Sequence, residues 1–284
     1  MANLIIAARN RADDGTLSGG SWSATLPLAN LQDRQLTRVA RSADTQPAST
    51  TMDVDLGAAK TISLVALLRH NLTQAGRWRV RISNASDFAT VEYDSGWRDI
   101  WPAVTPFGQG LWGEFQWGGK LDGAEARTYG IGAYDVLAAP VFARHLRLEL
   151  DDQGNPDGYL QAGRLVVSPA WRPSRNLSYG WELGHVDESR RVRSRGGQLY
   201  VDPAPKRRRL AFVIEHLSED EMFGRAYELD RDKGVAGDVL VIVDPGNLAH
   251  LHRQAIYGAL AETTPIANPA FDRFTKRFVI EELV

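Results

Sequence analysis

A strand–turn–strand unit between residues 143 and 167 restricts the fold of this chain more than any other part of its sequence. Apolar and polar side chains alternate from Ala143 to Leu150, which puts the leucines of residues 146–150 on one face of an extended strand. Residues 151–158 are rich in the residue types that favour tight turns, and a second apolar run follows over residues 160–167. The unit predicts β-structure with one buried face.

Further strand signals dominate the first 168 residues. Residues 52–56 alternate, residues 62–68 are apolar on both faces, and residues 78–83 alternate with Trp78, Val80 and Ile82 on the apolar side. Short turn-forming stretches separate these runs at the spacing typical of a β-sandwich. The sequence therefore predicts a β-sandwich over residues 1–168.

Composition limits the classes that this protein can belong to. A chain of 284 residues, 43% hydrophobic and 24% charged, has material for two globular cores of about 150 residues each. Its net charge of −2 gives no overall attraction for nucleic acid, and zero cysteines exclude disulfides and thiolate chemistry. We predict no signal peptide, since residues 1–9 lack a basic n-region and have too short an apolar run, and no membrane span, since no apolar run approaches the roughly 18 residues that a span needs.

A second domain is predicted after a proline-containing linker at residues 169–176. Residues 189–201 and 206–215 are predicted to form the two arms of one hairpin. Ser218, with Glu221 three residues later, forms a capping box, so a helix is expected near residues 218–232. Strands are expected at residues 239–243, 252–262 and 271–283, which makes residues 177–284 a β-barrel-like domain with one helix.

Residues 97–140 are predicted to be a long insertion between two strands of the sandwich. They contain many glycines and four of the eight tryptophans, and loops of this length are often functional. Tryptophan fills local cores, but it is also enriched at protein interfaces and stacks on sugar rings. The candidate interface or glycan contacts are Trp101, Trp112 and Trp117, and the local-core alternative stays open.

No arrangement of residues indicates catalysis or a bound cofactor. The common nucleotide, serine-hydrolase and zincin motifs do not occur in the sequence. Asp53 and Asp55 share a strand face, where a bracing role is favoured, and residues 151–155 form a turn that lacks the closing glutamate of a calcium loop. His250 and His252 are predicted to share one side of an extended segment, without a third metal ligand. We therefore predict a protein that is not an enzyme and has no cofactor or metal.

Two basic clusters, one at residues 190–195 and one at residues 206–209, fall on the arms of the predicted hairpin. Such a face could contact phosphates, but no aromatic residues alternate with the arginines as single-stranded nucleic acid binding prefers. Edge strands also carry basic residues that prevent stray pairing. A solvated or subunit-interface face is favoured over nucleic acid.

Two resemblances to known families follow from these segments. Residues 52–57 and 143–167 resemble the first and last core strands of a discoidin-type, galactose-binding-like sandwich. The later part of the chain resembles tail and baseplate proteins of tailed bacteriophages and prophages. The segments that carry this second resemblance are residues 176–182, 193–198, 217–221, 241–245, 254–258 and 278–282.

The second resemblance implies a distal-tail-type protein, although the sandwich here precedes the ring-type domain, where the commoner order is the reverse. It implies a virion protein made in the host bacterial cytoplasm, which assembles into a ring, most simply a hexamer, beside tail-tube and baseplate proteins. The sandwich would serve assembly or attachment to a host-surface glycan; specific DNA binding and membrane insertion are not expected. The implied ring-interface residues are Arg190, Arg191, Arg193, Arg207, Arg208 and Arg209. The alternative is a carbohydrate-binding adhesin or an accessory module of a glycan-active enzyme.

Overall fold

The computed structural model describes residues 3–105, 119–120 and 132–284. Within these ranges the first strands are β1 (Ile5–Ala7), β2 (Thr16–Ser18), β3 (Ala40–Arg41), β4 (Met52–Leu68), β5 (Arg77–Ser83), β6 (Tyr93–Asp94), β7 (Arg98–Asp99), β8 (Gly132–Asp151), β9 (Gln161–Ala162) and β10 (Arg164–Ser168). The later strands are β11 (Glu182–Val186), β12 (Arg190–Arg193), β13 (Leu199–Asp202), β14 (Arg207–Leu217), β15 (Asp238–Ile242), β16 (Ala255–Leu260), β17 (Ala267–Ala270) and β18 (Arg273–Glu282). The predicted mainly-β class is confirmed.

The first of two compact units is a β-sandwich that comprises residues 7–170 and 244–254. Its strands pair in the order β10-β4-β8-β5-β6, with β2 also on β4 and β7 also on β5. The long strands β4 and β8 are antiparallel, and two register shifts interrupt their pairing. Side chains from both halves of β4 enter one hydrophobic cluster, so the sheet bends around a single core.

The alternating patterns identified the core of this unit correctly. Trp78, Val80 and Ile82 of β5 are buried, and so are the three leucines of residues 146–150 in β8. Met52 pairs with Leu148, which joins the two segments on which the sandwich prediction rested. Burial of apolar side chains on one face of each strand is what fixes this register, because a slip of one residue would expose them.

The second unit contains residues 2–6, 171–243 and 255–284. Its sheet has the order β1-β15-β16-β18-β14-β11, and β17 pairs with β18. Strand β15 is buried along its whole length, and Phe212 of β14 stacks on Phe278 of β18 with ring centroids 5.3 Å apart. Strand β1 therefore lies in the sheet of this unit, next to β15, whereas the prediction counted its residues with the sandwich. The predicted boundary at residues 169–176 stays a prediction.

One helical stretch of the second unit runs from residue 219 to residue 233. It consists of an α segment (Glu219–Glu221), a π segment (Met222–Tyr227) and a second α segment (Glu228–Lys233). The Ser218 hydroxyl accepts a hydrogen bond from the Glu221 amide, as the capping box predicts, although the two atoms are 3.3 Å apart. Short helical turns also occur at Leu28–Gln32, Leu248–His250 and Leu251–Gln254. In the described ranges no helix has the length and apolar character that crossing a bilayer requires.

The predicted hairpin between residues 189–201 and 206–215 is wrong. Strand β12 pairs with β13 instead, and β14 pairs with β11 and β18. The turn at Gly196 and Gly197 explains the difference: Gly197 has φ of 86°, and the Ser194 amide donates to the Gln198 carbonyl at 2.9 Å. A glycine-containing turn closes a tight hairpin inside the segment that was predicted to be one arm.

Two further predictions are corrected. Strand β8 begins at Gly132, which lies inside the range predicted to be the insertion. Pro140 was expected to lie outside a strand, but it falls at a register shift between β4 and β8, where a proline is tolerated. His250 and His252 lie in consecutive helical turns and not in an extended segment. The strand of that region starts only at Ala255, whose pairing with Ile242 of β15 sets its beginning.

Candidate functional site

Trp97 is an exposed aromatic side chain at one end of the sandwich, and it has charged neighbours. It is 42% exposed, and the Arg77 guanidinium lies over its ring, 5.6 Å from the centroid. Arg77 also donates to the Asp151 carboxylate at 2.5 Å, while Lys120 binds Asp99 at 2.9 Å and the Gln74 carbonyl. We call Trp97, Arg77, Asp99, Lys120 and Asp151 the Trp97 surface.

Strands β5 and β8 position this surface. Arg77 is the first residue of β5 and is paired with Asp151, the last residue of β8, and with Asp99 of β7. Because directly paired residues of antiparallel strands share a face, the three charged side chains project to the same side. Trp78, the next residue, points into the core and holds the strand in place.

The same face of β5 continues as a ladder of ion pairs. Arg79 binds Asp94 with two hydrogen bonds, and Arg81 donates to Glu149 at 2.9 Å. The hydrogen bonds from Arg79 lower the pKa of Asp94 to about 2, so this carboxylate stays charged at any physiological pH. The ladder gives the Trp97 surface a fixed set of charged groups that can donate and accept hydrogen bonds.

A buried carboxylate anchors the loop that carries Trp97. Asp135 is fully buried and accepts hydrogen bonds from the Tyr93 hydroxyl at 3.0 Å and from Arg98 at 2.7 Å. Burial raises the pKa of Asp135, and burial together with the Asp135 charge raises the pKa of Tyr93 to about 12. These bonds fix the residues on both sides of the turn at Ser95 and Gly96, from which Trp97 projects.

The predicted tryptophan contacts have different outcomes. Trp101 is 8% exposed, its indole nitrogen donates to the Leu72 carbonyl at 2.9 Å, and its ring contacts His70 edge-on. The structure thus places Trp101 in the core, which was the alternative left open. Trp112 and Trp117 lie outside the described residues, so their predicted role stays a prediction. Trp97 was not among the residues singled out from the sequence, because only the folded chain brings Arg77, twenty residues earlier, over its ring.

The predicted ring-interface arginines do not lie on one hairpin. Arg190, Arg191 and Arg193 are exposed on β12, whereas residues 207–209 belong to β14. There Arg208 binds Glu282, Arg207 binds Glu188, and Arg209 lies 3.8 Å from Glu281. The second cluster is therefore paired within the unit, and the first cluster projects into solvent.

The acidic residues weighed as candidate ligands have structural partners. Asp53 is held by Arg147 and Asp55 by Arg144, each through two hydrogen bonds of 2.5–2.7 Å. In the 151–158 turn, Asp152 is the buried carboxylate, and it accepts from the amide and hydroxyl of Thr73 and from Asn155. Across residues 3–105, 119–120 and 132–284, no three His, Asp or Glu side chains are grouped to hold a metal ion.

Comparison with known proteins gives only distant structural matches. No family model and no curated protein match this chain. The family 32 carbohydrate-binding module of NanJ from C. perfringens, solved with galactose, is 13% identical over 57% of this chain and 98% of its own, with a TM-score of 0.37. The lectin domain of lectinolysin, solved with Lewis B antigen, is 14% identical over 58% and 98%, with a TM-score of 0.37. The structure of SpGH29 matches at 16% identity and a TM-score of 0.33, and this chain covers 28% of it. At these scores, the fold assignment depends on the sheets described above.

Proposed function

We propose that this protein is a non-catalytic attachment protein whose sandwich unit binds a glycan on the Trp97 surface. The observation that supports this proposal is an exposed indole with the half-exposed Arg77 guanidinium over its ring and the exposed Asp99 carboxylate on the same face of the sheet. Sugar rings present an apolar C–H face that packs on an indole, and their hydroxyls bind charged groups. Arg77 would donate to such hydroxyls, and Asp99 and Asp151 would accept from them.

The geometry also indicates how strongly such a site binds. Trp97 is 42% exposed and the Asp99 side chain 56% exposed, so a sugar packed on the indole would keep part of its surface in water. A single platform of this kind gives weak binding, which several linked copies would strengthen through effective concentration. A glycan presented many times on a cell surface fits this chemistry better than a free small molecule does.

Replacing Trp97 by alanine is expected to weaken glycan binding about tenfold, because an aromatic contact contributes about 0.5–1.5 kcal/mol beyond the area that it buries. Glycan-array screening of the purified chain would identify the ligand, and calorimetric titration would give the affinities. The melting temperature should change little, since the indole is half exposed. Tyr179→Ala, which removes a fully exposed aromatic side chain of the second unit, is the matched control. Undiminished binding by Trp97→Ala, or no binding of the wild type to any glycan, would contradict the proposal.

We propose as a second candidate that the chain is a structural component of a phage tail tip, as the resemblance of residues 176–282 implies. One structural observation favours it: strands β12 and β13 form a hairpin that projects from the second unit with every strand residue exposed. An exposed hairpin of this kind is typical of a subunit whose projecting strands pack against neighbouring subunits in an assembly. In electron micrographs of assembled particles, we expect copies arranged around the tail axis. Particles that lack the protein, or carry one isolated copy, would overturn this second candidate.

A further inference from the structure

The hairpin of β12 and β13, residues 190–202, pairs with no other strand of the described chain. We call it the β-arm. An isolated two-stranded hairpin is at best marginally stable in water and needs a further surface to pack on. Its apolar side chains have no such surface among the described residues, where Val192, Leu199, Tyr200 and Val201 are 46–57% exposed. The β-arm therefore exposes apolar side chains that a partner surface could bury.

The register of the β-arm gives it two mixed faces. Val192 lies opposite Tyr200 on one face, while Arg191 opposes Val201, and Arg193 opposes Leu199, on the other. Both faces thus combine apolar contact area with basic groups. Arg190 and Asp202 form the pair at the base, and the fixed turn at Gly197 holds the two strands together at the tip.

The same unit exposes an aromatic surface on the helical stretch and the neighbouring β17–β18 turn. We call Phe223, Tyr227, Phe271 and Phe274 the aromatic patch. Phe223 contacts Tyr227 and Phe274, with ring centroids 6.2 and 5.6 Å apart, and Phe271 is 98% exposed. Phe223 and Tyr227 are in contact and both about half exposed, Phe274 is half-buried beside Phe223, and adjoining exposed aromatic side chains of this kind mark interaction sites.

Two features support the aromatic patch as a binding surface. Phe223 and Tyr227 belong to the π segment, which turns them outward while Met222 and Ala226 are buried; π segments occur frequently at functional sites. Exposed acidic residues border the patch, with Glu219 and Asp220 at the start of the helix and Asp272 in the turn.

The charges at the border are mixed, because Arg225 and Arg273 also lie there. The apolar contact would therefore supply most of the affinity. The acidic residues would orient the basic β-arm, since exposed ion pairs contribute only about 0–1 kcal/mol each.

We infer that the β-arm of one copy of this chain docks on the aromatic patch of a second copy. Both surfaces have exposed apolar side chains at their centres. The β-arm carries basic side chains, and the border of the aromatic patch carries the acidic residues Glu219, Asp220 and Asp272. Because each copy carries one of each surface, the contact is heterologous and links subunits head to tail, which closes into a ring or continues as a filament. The inference deepens the second proposed function and rests on it for the biological setting, although the contact itself is testable in solution.

The test uses the full chain and two surface variants that are each expected to fold. Val192→Ser combined with Tyr200→Ser disables the β-arm, and Phe223→Ser combined with Phe271→Ser disables the aromatic patch. Light scattering after size exclusion should show the wild type associating as its concentration rises. Each variant alone should associate at least tenfold more weakly. Phe142→Ser, which removes an exposed phenylalanine of the sandwich unit, should associate like the wild type.

Mixing the two variants provides the decisive measurement. The β-arm variant keeps an intact patch and the patch variant keeps an intact β-arm, so the mixture can form one functional contact and should give a heterodimer and nothing larger. A wild type that stays monomeric at all concentrations, or a mixture that stays monomeric, would overturn the inference. Association in solution by a protein that is absent from tails would reject the second proposed function and leave this contact standing.

Discussion

Replacing Asp13 by alanine is expected to lower the free energy of unfolding by about 3 kcal/mol, the lower end of the range for a broken buried ion pair, because it leaves the buried Arg164 charge without its counterion. The Arg164 side chain is 1% exposed, and its two terminal nitrogens bind the two Asp13 oxygens at 2.7 and 2.8 Å. Arg164 also donates to the Gln32 carbonyl. Asp13 is the solvent-facing partner of this pair, with its side chain 33% exposed, and the Gln32 carbonyl that remains in its absence cannot neutralise the guanidinium. Urea unfolding followed by tryptophan fluorescence measures the change.

The matched control is Asp33→Ala. Asp33 pairs with Arg38 at 3.0 Å, but the Arg38 side chain is 62% exposed and water replaces the lost partner. The expected loss is therefore about 0–1 kcal/mol. The double variant Asp13→Ala with Arg164→Met should recover most of the loss, since no buried charge then remains. Equal losses in Asp13→Ala and Asp33→Ala would show that burial of Arg164 does not determine the cost.

This ion pair was invisible in the sequence, whereas the strands around it were not. Alternation predicted β5 and the second half of β8 because one buried face imposes a period of two on the side chains. Nothing local relates Asp13 to Arg164, which are 151 residues apart and meet only after β10 pairs with β4. Local patterns report which face of a strand is buried, and tertiary pairing decides which charges meet.

The difference between local patterns and tertiary pairing also explains why the hairpin was predicted wrongly and why the Trp97 surface was not predicted. Two basic segments separated by prolines are compatible with one long hairpin or with two different pairings, and only the turn at Gly197 decides between them. Trp97 and Trp101 are both tryptophans of one short segment, but one is exposed and the other is buried. The capping box at Ser218 was recognised from sequence because all its atoms lie within one turn of helix.

Acidification is expected to destabilise the sandwich unit through His70. Both ring nitrogens of His70 are buried and have no hydrogen-bond partner among the described residues, and Trp101 contacts the ring edge-on, with the ring centroids 6.1 Å apart. Burial lowers the pKa of His70 from 6.5 to about 4, because the charged imidazolium would lose its hydration. Between pH 6.5 and pH 4 the unfolded chain binds a proton at His70 that the folded unit does not bind. The contribution of neutral His70 to the free energy of unfolding is therefore fully present above pH 6.5 and is lost as the pH falls toward 4.

Between pH 7 and pH 5, His70 is expected to lower the free energy of unfolding by about 2 kcal/mol. The lowered pKa corresponds to roughly 3.4 kcal/mol in total at 1.36 kcal/mol per pH unit, and somewhat more than half of this is lost in that interval. His70→Leu keeps a similar volume without a titrating group, so its free energy of unfolding should fall about 2 kcal/mol less over the same interval. Comparing the two proteins at each pH cancels the opposite contribution of Asp135, whose pKa burial raises. Urea unfolding at both pH values provides the measurement. If wild type and His70→Leu lose the same stability on acidification, the imidazole is hydrated in the folded state, and the packing of Trp101 against it does not exclude water.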